Sequence, residues 1–344
     1  MFVADRISHV VSQADDVDVP AQAAQAALDM ALLNDWQRDF PLVPRPFDVI
    51  AARYDVRAAG VQDAYRQLQQ RGALSRIGGV FGVGAGGSAM LCAFAVPPDR
   101  MNEVAAIVSA CPGVNHNYER EHRWNLWFVM TAPSAVQRDA LVTQLEQRTG
   151  LRALRLPMRR AFRIDLGFDL YTGACPSRDA RRCEPLPQSD HALAAAVEQG
   201  LPIVDRPYAR WAEQAGCDED AVLRRLQSWL DHGALRRFGA IVRHHEVGLQ
   251  ANAMTVFNVP DDQLVAAGER LARQPGVTLC YARHRDEGWP YSLYCMVHGR
   301  SRNDALALIE LARVAAGLTG VEHAVLFSTR RHKQTGAHYF RAAA

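Results

Sequence analysis

Pro41-Leu42-Val43-Pro44-Arg45-Pro46-Phe47 returns later in the chain as Pro202-Ile203-Val204-Asp205-Arg206-Pro207-Tyr208. Likewise Gly72-Ala73-Leu74-Ser75-Arg76-Ile77-Gly78 returns as Gly233-Ala234-Leu235-Arg236-Arg237-Phe238-Gly239. Pro46 and Pro207, like Gly78 and Gly239, stand 161 residues apart. Further on, Gly113-Val114 and Tyr118-Glu119-Arg120 reappear as Gly276-Val277 and Tyr281-Ala282-Arg283 at an offset of 163. A period this long is far beyond a solenoid unit and indicates duplicated globular modules. The two copies have diverged in their polar residues, so the chain has the character of a heterodimer joined end to end. A site shared across a pseudo-twofold interface is the expected consequence.

Composition narrows the class. The chain has 344 residues, 49% hydrophobic and 22% charged, with room for two to four domains. No apolar run is long enough to span a bilayer, and Asp5, Asp15, Asp16 and Asp18 replace the basic start and apolar block of a leader, which predicts a cytoplasmic protein away from membranes. A net charge of +2 gives little bulk attraction to nucleic acid, so a polyanionic ligand would have to be held by local arginines. The seven cysteines form no Cys-x-x-Cys pair. Cys92, Cys111, Cys280 and Cys295 lie in apolar patterns and read as buried free thiols.

Within the first copy, helical patterns over 22–36, from Phe47, and over 61–71 precede the alternating segment Leu74 to Phe81, read as a two-stranded wing. The following order is strand 89–96, helix 98–111, strands 114–122 and 126–131, helix 134–148 and strand 151–162, the βαββαβ plan of a ferredoxin-like domain. The second copy repeats it over 253–329. The expected fold is therefore α+β, with two tandem copies of a winged helix-turn-helix plus a ferredoxin-like domain, related by a pseudo-twofold. The domains are 22–86 and 87–170 in the first copy, a linker at 171–188 rich in Pro and Arg, and 189–249 and 250–340 in the second.

This layout resembles the Lrp/AsnC-type transcription regulators. A DNA-binding regulator that senses a tetrapyrrole or other small molecule is therefore the alternative function. The candidate recognition segments fit it poorly. The first offers Gln62, Asp63, Arg66 and Gln69, but the second begins with Asp218, Glu219 and Asp220, which would repel phosphate. A narrower resemblance covers about 22–340. Tyr118-Glu119-Arg120-Glu121-His122-Arg123-Trp124-Asn125-Leu126-Trp127-Phe128 is similar to the Tyr-x-Arg-Glu-His-x-x-Asn-Leu-Trp-Phe signature of the siroheme decarboxylases. Arg237-Phe238-Gly239-Ala240-Ile241-Val242-Arg243-His244-His245-Glu246-Val247-Gly248, with Ala251-Asn252-Ala253-Met254, is similar to the partner-subunit signature, and Ser328-Thr329-Arg330 with Tyr339-Phe340 also agree. The resemblance implies a fused two-subunit siroheme decarboxylase of d1-type haem biosynthesis, which removes carbon dioxide from the acetates at positions 12 and 18. It implies no cofactor beyond the iron-containing substrate.

Such a reaction needs carboxylate-binding arginines and a proton donor, tasks suited to guanidinium and imidazole. His116, Tyr118, Arg120 and His122 alternate along one strand and should share a face. They are the candidate catalytic set, with His116 or His122 as the proton donor. Tyr281, Arg283, His284 and Trp289 in the second copy, with Arg76 and Arg237 in the two wings, are candidate substrate-binding residues. The pair His244-His245 joins them, and the resemblance makes His244 the candidate ligand of the siroheme iron or a contact of the macrocycle. The stretch Gly82 to Gly87 lacks a following Lys-Ser or Lys-Thr, and reads as a flexible wing tip rather than a phosphate loop. Arg159-Arg160 and Arg330-Arg331 are further candidates for neutralising carboxylates. Expected partners are siroheme itself and no DNA, with a second decarboxylase subunit pair and a homodimer as open alternatives.

Overall fold

The computed structural model describes residues 19–164, 167, 170–171, 182–242 and 251–340. Most of the 171–188 linker and the wing pair His244-His245 lie outside the described residues. The first copy runs α1 (Val19–Asp35), α2 (Pro46–Tyr54), α3 (Ala58–Gln70), β1 (Leu74–Phe81), β2 (Ser88–Phe94), α4 (Met101–Ala110), β3 (Val114–Arg120), β4 (Leu126–Ala132), α5 (Ala135–Thr149) and β5 (Leu154–Ile164). The second repeats it as α6 (His191–Gln199), α7 (Pro207–Ala215), α8 (Glu219–Asp231), β6 (Leu235–Val242), β7 (Ala251–Phe257), α9 (Leu264–Ala272), β8 (Val277–Arg283), β9 (Leu293–Gly299), α10 (Arg302–Ala315) and β10 (His323–Gln334).

Local chemistry repeats with the sequence. Pro46 and Pro207 open α2 and α7, where the missing N–H costs nothing. Ser134 and Ser301 cap α5 and α10 by accepting from the amides of Gln137 and Asp304. The four cysteines expected to be buried free thiols are buried and unbridged.

The expected two-stranded wing is corrected by the structure. Leu74 to Phe81 is one strand, and its partner is the equivalent strand β6 of the other copy, antiparallel with Gly78 opposite Gly239. Equivalent residues can face each other in this way only on a twofold axis, so the pseudo-dyad passes through this pair. A side chain at Gly239 would put its Cβ 2.2 Å from the carbonyl oxygen of Trp36, so the glycine lets the end of α1 lie directly on the sheet.

The helix-turn-helix units face each other and share one core that includes Phe40, Phe47, Tyr65, Tyr208, Trp211 and Phe238. Two of the polar groups read as candidate base contacts, Gln62 and Arg66, reach across to the other copy. Gln62 Nε2 donates to Asp205 at 3.0 Å and Arg66 Nη2 to the carbonyl of Ile203 at 2.8 Å. In α8, Asp218 accepts from the amide of Ala221 and Glu219 pairs with Arg206.

The remaining eight strands close into a barrel in the order β10-β3-β4-β2-β5-β8-β9-β7. The long last strand of each copy makes the closure. The first half of β5 pairs with β2 and its second half with β8, while β10 pairs first with β7 and then with β3. Within the barrel, closure leaves no strand edge unpaired among the described residues. Helices α4 and α5 cover one side through a core around Phe94 and Phe128, and α9 and α10 cover the other around Phe257 and Leu271. Inside, Trp127, Leu156, Met254, Trp289, Tyr294 and Leu326 meet. An eight-stranded barrel is about wide enough for side chains to fill. These do, at the end away from the helix-turn-helix layer.

Candidate functional site

The alternation along β3 places its polar side chains as expected. His116 stacks on Tyr118 with ring centroids 6.1 Å apart, and the Arg120 guanidinium lies 5.6 Å from the Tyr118 centroid. Asn117 points the other way and donates to Ala105 O and Ser109 Oγ of α4. The His116-Tyr118-Arg120 face therefore looks into the barrel, with His116 nearest the mouth beside β1 and β6. In the second copy Arg283 lies 5.1 Å from the Tyr281 centroid and 5.8 Å from that of Tyr294.

The two arginines are tied down by the same trick. Arg120 Nη1 donates to the carbonyl of Leu326 and Arg283 Nη1 to that of Leu156, each at 2.9 Å and each on the other copy's side of the barrel. Arg120 is only 6% exposed, and the Nε of each arginine has no hydrogen-bond acceptor. Among the described residues neither forms an ion pair with a carboxylate. Burial pulls Arg120 down to about 10, and pulls Arg283 down as well. A buried cation without an anion is costly, and the cost is recovered when an anion arrives.

At the mouth, His116 is pushed down to about 4, first by burial and then by the positive charges of Arg76 and Arg120. Arg76 is lowered by burial, against the attraction of Glu198. Glu198 is pushed up to about 7 by burial, although it accepts from the amides of Tyr339 and Phe340 and sits near Arg76. Arg76, His116, Tyr118 and Arg120 thus form one cluster, continued by Tyr281, Arg283 and Tyr339 across the mouth.

Other candidates lie elsewhere. Arg237, the equivalent of Arg76, is buried with Nη1 donating to the carbonyls of Gln37 and Ala240, so it braces the helix-turn-helix layer. His122 is in the turn after β3, at the far end of the barrel. Its Nδ1 accepts from the Trp124 amide and its ring meets Trp289 edge-on at 5.3 Å. Trp289 is 1% exposed, donates from Nε1 to Tyr294 Oη and packs on Trp127, so it plugs that end rather than flanking an open space. His284 is exposed beyond β8. Arg159 and Arg160 are paired with Asp261 and Glu269 on the outside, and Arg330 and Arg331 are likewise exposed there. Asn125 clasps both backbone groups of Val96, and Trp127 is buried with Nε1 on the carbonyl of Trp124, as packing residues.

Sequence reading missed Glu198. A signal existed: Glu198 is 161 residues after Gln37, at a place where the copies differ in charge. It also read 82–87 as a flexible tip. Instead Gly82 N donates to Ala234 O, Cys183 N to Val83 O and Leu186 N to Ala85 O. A Cβ on Gly87, whose φ is +61°, would lie 2.7 Å from Tyr339. The stretch is a close-packed seat, with glycine required by contact rather than by motion.

The fold defines a tandem duplication of a helix-turn-helix and an αβ domain, with the candidate site between the copies. The sequence profile of the AsnC-like ligand binding domain matches residues 83–163 and 246–333, and that of the siroheme decarboxylase NirDL-like HTH domain matches 29–74 and 190–236. The chain is 42% identical over 317 residues to the siroheme decarboxylase NirDL subunit of Paracoccus pantotrophus, covering 90% of this chain and 96% of that one. The separate siroheme decarboxylase NirD subunit of Stutzerimonas stutzeri is 47% identical over 144 residues, 42% of this chain and 95% of that subunit. A crystal structure of the siroheme decarboxylase NirDL in co-complex with an iron-uroporphyrin III analogue superposes with a TM-score of 0.64 at 28% identity, covering 92% of this chain and 95% of that one. The chain belongs to the siroheme decarboxylase family, in its fused two-subunit form.

Proposed function

We propose that the chain is a carboxy-lyase that converts siroheme to 12,18-didecarboxysiroheme. The observation that carries this reading is the pair of arginines without an acid partner among the described residues, buried Arg120 and half-buried Arg283, in one cluster with Arg76 and His116 at the barrel mouth. That arrangement suits a flat ligand ringed by carboxylates. The filled far end leaves the mouth as its place.

Arg76, Arg120 and Arg283 would orient acetates and propionates through charge-assisted bonds. When the C–C bond of an acetate breaks, its electron pair passes into the conjugated pyrrole and carbon dioxide leaves. A proton must then reach the remaining carbon, so each step consumes one proton. His116 is the proposed donor. It is neutral in the free protein because it is shielded from water and because Arg76 and Arg120 face it; substrate carboxylates would offset the second cause and ease its uptake of a proton. His244 is the proposed contact of the siroheme iron, and no cofactor besides the substrate is invoked. A further subunit pair, or a dimer of the fused chain, completes the proposal. A DNA-reading role is disfavoured because Gln62 and Arg66 are spent between the copies.

Anaerobic incubation with siroheme and mass analysis of the extracted tetrapyrrole tests this. Loss of two carboxyl groups is expected, and His116→Ala should slow it by about 10²–10⁴-fold. An unchanged tetrapyrrole would refute the assignment, and a His116→Ala rate within about twofold of the parent would refute the donor.

A further inference from the structure

Residues 335–340 follow β10 across the barrel mouth. Thr335 N donates to Asn115 O at 2.8 Å. Gly336 lies against Arg76, where an added Cβ would be 2.8 Å from Nη1. Tyr339 sits on Gly87, and its electrostatic neighbours are Arg283 and Glu198. Phe340 packs on Phe81 at 4.9 Å and on His191 at 5.2 Å. One short segment therefore covers an arginine of each copy. Holding it is Glu198 of α6, 2% exposed, whose Oε1 accepts from Tyr339 N at 2.6 Å and Oε2 from Phe340 N at 3.4 Å. Burying a carboxylate is expensive, and here both of its oxygens are aimed at the backbone of this one segment.

We propose that residues 335–340 are a closure strap over the tetrapyrrole site and that Glu198 is its latch, positioning the strap and Arg76 together. This rests on the function proposed above. The strap has no regular secondary structure, and among the described residues its backbone amides are held by Asn115 O and by Glu198, which His338 also approaches at 3.9 Å, so it can lift without unfolding the barrel. Gly336 lies on the Arg76 guanidinium and Tyr339 beside Arg283, so seating carboxylates on both arginines calls for this segment to move. Once the ligand is seated, reclosure would exclude water and set Arg76 beside His116.

Stopped-flow mixing with siroheme, followed by its absorption, tests the strap on three chains: the natural one, Glu198→Ala, and one ending at Gln334. An unlatched strap should raise the association rate at least about tenfold and lower turnover of bound siroheme by a similar factor. A merely structural contact would lower the melting temperature and leave the association rate alone. Hydrogen exchange on the natural chain needs no variant, and the Tyr339 and Phe340 amides should gain at least about tenfold protection when siroheme is bound. Association rates within about twofold of the parent in folded variants, or exchange unchanged by siroheme, would overturn the strap. A natural chain that decarboxylates siroheme normally alongside those results would leave the enzyme reading intact, whereas one that neither binds nor decarboxylates it would remove both.

Discussion

Binding of a polycarboxylate tetrapyrrole should be coupled to uptake of a proton by His116, and replacing that residue with glutamine should remove the coupling. The ring falls from its ordinary 6.5 to about 4 because it is buried and faces Arg76 and Arg120. At about 1.4 kcal/mol for each factor of ten, that is about 3 kcal/mol of preference for the neutral ring. Carboxylates placed on those arginines cancel the two electrostatic causes and leave burial. Because burial, the largest cause, remains, the ring rises from about 4 toward 6.5 without reaching it, so proton uptake at pH 5.5 should lie above zero and below about 0.9 per ligand. The sign follows from linkage: a group whose pKa rises on binding strengthens binding as pH falls from the bound value toward the free one. The assay is calorimetric titration with iron-uroporphyrin III in buffers of different ionisation enthalpy, since a probe that is not turned over separates binding from the proton consumed in chemistry. Ligand carboxylates also titrate in this range, but equally for both chains, so the difference between natural chain and His116→Gln isolates the ring. Equal proton uptake by the two would refute the reasoning.

Two further outcomes follow from the same geometry. Arg283→Met removes a half-buried cation that has no carboxylate partner among the described residues, so it should leave the free chain at least as stable, by up to about 1 kcal/mol, while weakening iron-uroporphyrin III binding about 10- to 100-fold. Denaturant melts beside a binding titration would check this, and a destabilised variant would make Arg283 a structural brace. Trp289→Ala should cost about 3–5 kcal/mol through the cavity it leaves against Trp127 and His122, read from the unfolding midpoint. A loss below about 1 kcal/mol would mean that the far end of the barrel is not the packed plug described.

Several features were legible without coordinates. The 161-residue echo announced two copies and a pseudo-twofold, because duplicated cores must conserve the same apolar and turn residues. The βαββαβ order and the shared face of His116, Tyr118 and Arg120 followed from periodicity, which is a property of the backbone itself. Long motifs pointed to the decarboxylase family. Pairing partners were not legible, because a strand's sequence specifies which face is buried and says little about which strand lies alongside. Leu74 to Phe81 was thus read as a hairpin, when its partner is 161 residues away, and the crossing of β5 and β10 into the other copy was not foreseen.

Function-bearing side chains divide along the same line. Which residues share a strand face is local, so the His116 cluster could be assembled on paper. Which of two equivalent residues reaches the mouth is not local. Arg76 and Arg237 look alike in sequence, yet one meets Glu198 and His116 at the mouth while the other is absorbed by the carbonyls of Gln37 and Ala240. His122 shares the alternation of His116 but lies past the strand's end, against Trp289. The sequence by itself determined the duplication, the element order and the chemical kind of the site. Only the tertiary structure decided which arginines lack an acid, which end of the barrel is filled, and that 335–340 lie across the other, because burial and charge pairing depend on neighbours distant in the chain.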